Sequence, residues 1–109
     1  MERSTGDRIN ELFRKIDERG KLENIRRETA SLLVSSLEAR RATLDPWEKM
    51  HFEMAIALLP TVWLRLALTH VQMALEPPDE RTELDPDKAR EFGALSAEEL
   101  IARLKRYTS

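Results

Sequence analysis

Between Leu44 and Glu76 the chain reads LDPWEKMHFEMAIALLPTVWLRLALTHVQMALE, and everything else has to fold around that stretch. It holds both tryptophans, both histidines and the longest uncharged run, with a proline near its middle. Its beginning is explicit. Asp45 is a short acceptor suited to an N-cap, and Pro46 fits the first helical position because it has no amide to leave unpaired. Glu48 stands where a capping box needs its carboxylate. From there the residues are strong helix formers, and no turn signal except Pro60 precedes Pro77–Pro78. A proline this deep in a helix costs about 3 kcal/mol through one lost hydrogen bond and a clash with the preceding turn. No Gly, Asn or Asp accompanies it, so the sequence predicts one Pro-kinked helix over about 45–75, rather than two helices with a tight break.

Beyond the proline, Thr61, Arg65, Thr69, Gln72 and Glu76 recur at helical spacing and form a narrow polar stripe. Val62, Trp63, Leu64, Leu66, Ala67, Leu68, Val71, Met73 and Ala74 fill the remaining surface. A helix apolar over most of its circumference must be buried on several sides. A chain of 109 residues offers little material to surround it. The expectation is a homo-oligomer whose interface centres on Trp63, Leu64, Arg65, Leu68 and Val71. Arg65 should then meet a carboxylate of a neighbouring helix or subunit, because desolvating an unpaired guanidinium costs several kcal/mol.

Met54 to Leu75 is long enough for a membrane span, which takes about 20 residues. However, an arginine at the centre of a span costs about 2.5–3.5 kcal/mol, and Arg65 lies there. Glu48, Glu53 and Glu76 flank both ends, so a buried helix is expected and a membrane partner is not.

The rest of the chain reads as helices around this one. Ile9, Leu12, Phe13 and Ile16 mark an amphipathic helix from about Thr5, and Gly20 is placed to end it as a left-handed residue. Leu22, Ile25, Leu32, Leu33 and Leu37 mark a second, running to about Ala42. Residues 77–83 form a proline-rich acidic linker. After it, Leu84–Asp85–Pro86 opens a short helix through Phe92, closed by Gly93. Ser96–Ala97–Glu98–Glu99 caps a last helix carrying Leu100, Ile101 and Leu104. Few glycines and little β-branched alternation argue against a sheet. The fold class predicted is all-α, a bundle of four to five helices. It divides into a core over 1–76, the linker, and C-terminal short helices over 84–109 that pack on the core or dock a protein partner.

Composition narrows the function. A formal charge of −2 exerts no general pull towards nucleic acid or an anionic surface. Without cysteine there is neither a disulfide nor thiolate chemistry. The start, MERSTGDRIN, lacks the apolar core of a secretory signal, which makes a cytoplasmic location the expectation. No glycine-rich phosphate loop, nucleophile elbow or paired-histidine motif is present, so catalysis is not expected.

Three sets of residues carry candidate chemistry. Arg26, Arg27, Arg40 and Arg41 lie on one helix and could grip phosphates of a nucleic acid, although Glu23, Glu28 and Glu38 are interleaved with them. Glu48 and His51 have the Glu-x-x-His spacing with which ferritin-like bundles bind iron, manganese or zinc, and Glu38 or Glu28 would supply a further oxygen. His70 sits on an apolar face and reads as a hydrogen-bonded core residue or a pH-sensitive contact. Weighing these, the sequence favours a small non-catalytic interaction, regulatory or assembly protein. A nucleic-acid-binding regulator and a metal-binding bundle are the alternatives.

Overall fold

The computed structural model describes residues 4–77 and 83–108, and within them the chain is all-helical. Six helices occur among the described residues: α1 Thr5–Asp17, α2 Leu22–Ala39, α3 Pro46–Leu58, α4 Leu64–Leu75, α5 Pro86–Gly93 and α6 Ala97–Thr108. The expected linker falls mostly on residues 78–82, outside the described part.

Local chemistry sets most of the boundaries. The Ser4 hydroxyl accepts from the Asp7 amide at the start of α1. Asp45 accepts from the Glu48 amide at 2.8 Å while the Glu48 carboxylate accepts from the Asp45 amide, completing the capping box of α3. Asp85 repeats the first half of that device on Lys88, and Ser96 accepts from the Glu99 amide at the start of α6.

Two expectations about breaks are corrected. At the end of α1 the left-handed residue is Arg19, with φ 59°, and not Gly20. The Gly20 amide donates to the Lys15 carbonyl and the Arg19 amide to that of Ile16, a Schellman pattern that ends one residue earlier than a glycine-first reading implies. The larger correction is at Pro60. There is no kinked helix over 45–75: α3 ends at Leu58, α4 begins at Leu64, and the two fold back on each other as the most extensive helix pair of the molecule.

Thr61 organises the break. Its hydroxyl donates to the Leu58 carbonyl at 2.6 Å and accepts from the Trp63 amide at 3.0 Å. From α2, Arg26 donates through Nε to the Leu59 carbonyl and through Nη2 to that of Thr61, at 3.2 Å for the latter. Carbonyls left over where the helix stops thus find a guanidinium from a distant part of the chain. The break costs less than it would in an isolated helix.

Helix α6 packs along α2, α5 lies on α3, and α1 covers α2 and α4. Leu12, Leu33, Leu37, Phe52, Leu59, Leu64, Leu68, Val71, Leu100 and Leu104 form one continuous core with their neighbours. The chain itself covers much of α4, because folding α3 back supplies one wall and α1 and α2 supply others, while Arg65 and Leu66 stay exposed. No described helix is long and apolar enough to cross a membrane.

Candidate functional site

The residues expected at an oligomer interface separate into two groups. Leu64, Leu68 and Val71 lie in the chain's own core with essentially no exposed surface, so they are not available to a second subunit. Trp63 and Arg65 are on the outside. Trp63 is 64% exposed, Val62 beside it 69%, and Leu66 one turn further 48%. Val62 and Trp63 lie in the break just before α4 and Leu66 in its first turn, so the three exposed side chains are close in sequence at the α3–α4 corner.

Arg65 finds its carboxylate within the chain: its Nη1 pairs with Asp17 of α1, and its guanidinium lies over the Phe13 ring, 5.1 Å from the centroid. The pair is exposed on both sides, which limits its contribution to stability to about 0–1 kcal/mol. It does fix what borders the corner. On that side, and on the other where Arg26 pairs with Glu23, positive and negative charge are balanced.

The arginine face of α2 does not assemble as a phosphate grip. Arg26 is turned into the break and is only 15% exposed. Arg40 pairs with Glu48 at 3.2 Å and reaches the Leu75 carbonyl at the end of α4. Arg41 pairs with Glu98 of α6 at 2.9 Å. Among the described residues Arg27 alone of the four has no such partner. It borders a groove of about 630 Å³ between α1 and α2, where Lys15 is already bound by Glu28.

The metal set does not assemble either. Glu48 is held by the Asp45 amide and Arg40, and Glu38 is exposed on α2. No three His, Asp or Glu side chains among the described residues lie close enough to share an ion.

What the structure brings together is the two histidines, read separately in the sequence. His51 of α3 and His70 of α4 face each other with their Nδ1 atoms 2.9 Å apart. The ring centroids are 5.2 Å apart; the excess over the nitrogen separation is the two ring radii laid end to end, so the nitrogens point at one another in line. Trp47 meets the other side of His51 edge-on, with centroids 4.4 Å apart. Burial holds both rings below the ordinary histidine value of 6.5, and the neighbouring His70 lowers His51 further. A neutral pair with one shared proton follows: one ring carries its hydrogen on Nδ1 and donates, the other carries it on Nε2 and accepts.

Helix α6, expected to pack in place or to dock a partner, has Leu100, Ile101 and Leu104 buried within this chain. Its apolar face is therefore occupied. Compared with protein-family models, with curated proteins and with solved structures, the chain matches none.

Proposed function

We propose that this protein is a non-catalytic, self-associating helical module whose contact centre is Val62, Trp63 and Leu66 at the α3–α4 corner. One observation carries the reading: the chain buries the apolar faces of α2, α4 and α6 in its own core, yet leaves a tryptophan, a valine and a leucine together on the outside. An aromatic side chain contributes about 150–250 Å² of contact, and exposed tryptophans are the residue type that most often dominates an interface. A stable interface covers about 800 Å² per partner, so this corner is the centre of a contact and polar neighbours supply the rim.

A second copy of the chain is the partner that fits the border. Arg65–Asp17 and Arg26–Glu23 balance their charges internally, so two copies can bring the same corner together without like-charge repulsion. The test is sedimentation velocity of the untagged protein across a wide concentration range. The proposal expects a concentration-dependent dimer that Trp63→Ser reduces to monomer with unchanged helical content. A wild-type protein that stays monomeric throughout, or a Trp63→Ser dimer as tight as wild type, would overturn it.

A further inference from the structure

We infer that the His51–His70 pair is an acid-sensitive joint, which loosens α3 from α4 at the middle of their hairpin while the α2–α6 packing stays formed. The two residues lie nearly equidistant from Thr61 on either side of the break and close to the midpoints of α3 and α4. The pair thus ties the middle of the hairpin, while Arg40 ties its open end by pairing with Glu48 and donating to the Leu75 carbonyl. The closed end is tied by Thr61 and by Arg26 through hydrogen bonds that involve neither histidine. The joint that responds to protons therefore lies between two ties that do not depend on it.

The chemistry of an in-line imidazole pair makes the response abrupt. A first proton can be accommodated, because an imidazolium donating to a neutral imidazole keeps the bond and strengthens it by its charge. A second proton places two N–H donors head to head and two positive charges a few ångströms apart. The bond is lost, and repulsion replaces it. The pair consequently titrates in two coupled steps, and opening is tied to uptake of the second proton.

The charged groups on the surrounding helices are committed elsewhere. On α3, Glu48 is paired with Arg40 of α2, Lys49 donates to the Gly93 carbonyl beside α5, and Glu53 meets Arg103 of α6. On α4, Arg65 holds Asp17 of α1. On α5, Asp87 and Arg90 pair with each other, while Lys88 and Glu91 are exposed. Each of these ion pairs would have to break before its carboxylate could stabilise a doubly charged histidine pair.

Trp47 provides the readout, since its ring touches His51 and imidazolium quenches indole emission more strongly than imidazole does. In a Trp63→Phe protein Trp47 is the only tryptophan. Titrating that protein downward from neutral pH, we expect Trp47 emission to fall as His51 takes up its proton, with a midpoint below 6.5. In parallel, the protection of amides near His51 and His70, corrected for the intrinsic pH dependence of exchange, should fall by up to about tenfold per unit of pH, with that of α2 and the α6 core unchanged. His70→Asn keeps a hydrogen-bonding group near the position of Nδ1 but cannot titrate, and should remove the loss of protection while His51 still quenches Trp47; His51→Asn should remove both effects. A midpoint at or above 6.5, loss of protection spread evenly over all helices, or an unaltered loss of protection in the asparagine variants would overturn the inference.

Discussion

Replacing Arg26 by methionine should destabilise the protein far more than the same change at Arg27, its neighbour in sequence. The methionine keeps the aliphatic stem and removes the guanidinium. In the wild type that group donates to the Leu59 and Thr61 carbonyls, the acceptors left over where Pro60 ends α3. Hydrogen bonds from a charged donor contribute about 1.5–3 kcal/mol each. Arg26 is 15% exposed, so water can reach part of the site and take over some of the lost bonding. Its pair with Glu23 adds little, because Glu23 is 79% exposed. The net expectation is a loss of about 2–4 kcal/mol, a large share of the roughly 5–15 kcal/mol that holds a domain folded. Arg27 has no described partner, and its methionine variant should stay within about 0.5 kcal/mol of wild type. Equilibrium urea unfolding of the two variants, read by far-UV circular dichroism, gives both numbers directly. Arg26→Lys should fall between them, since one ammonium cannot span two carbonyls as a planar fork does. If Arg26→Met and Arg27→Met proved equally mild, Arg26 would not be what holds the break, and the account of α3 and α4 as a hairpin tied from α2 would fail.

Further expectations test other parts of the structure. Leu68→Ala should cost about 2–5 kcal/mol in thermal or chemical unfolding without changing self-association, because Leu68 has no exposed surface; an oligomer-specific effect would return it to an interface. Arg19→Gly should stabilise the protein by about 0.5–1 kcal/mol, measured by urea unfolding, since a non-glycine residue at φ 59° is strained there; a loss of stability would show that the Arg19 side chain does more than tolerate the turn. The stability of the whole fold should also depend on pH through the histidines. Their folded-state values lie below the unfolded value of 6.5, so the unfolded chain takes up protons first; stability should begin to fall as pH drops below 6.5 and continue to the lower folded values. Urea unfolding at a series of pH values checks this, and a His51→Asn, His70→Asn protein should show a flatter profile over the same window.

Much of the architecture was legible from one-dimensional chemistry. Ser4, Asp45, Asp85 and Ser96 each start a helix because a short side-chain acceptor satisfies amides within the same turn, an interaction that needs no distant partner. Periodicity likewise identified Ile9 and Leu12, Leu33 and Leu37, and Leu100 and Leu104 as core. Of the apolar residues beyond the proline, Leu64, Ala67, Leu68, Val71 and Ala74 pack within the chain once the hairpin closes, while Val62, Trp63 and Leu66 stay exposed.

What remained hidden was every decision taken between residues far apart in the chain. Pro60 disfavours a straight helix, yet kink and break have similar local costs. The balance was tipped by Arg26, whose contacts with Leu59 and Thr61 have no signature in the segment they act on. The same break turned α3 back upon α4 and so set His51 against His70, a pairing invisible while the two were read as positions on one rod. Arg26, Arg40 and Arg41 are likewise committed to internal partners, and Trp63 is left on the outside. Sequence by itself determined where helices begin and which faces are apolar, because those depend on energies within one turn. Only the tertiary structure decided which apolar faces meet, which charges pair and which tryptophan is left over, because those depend on how the chain closes on itself.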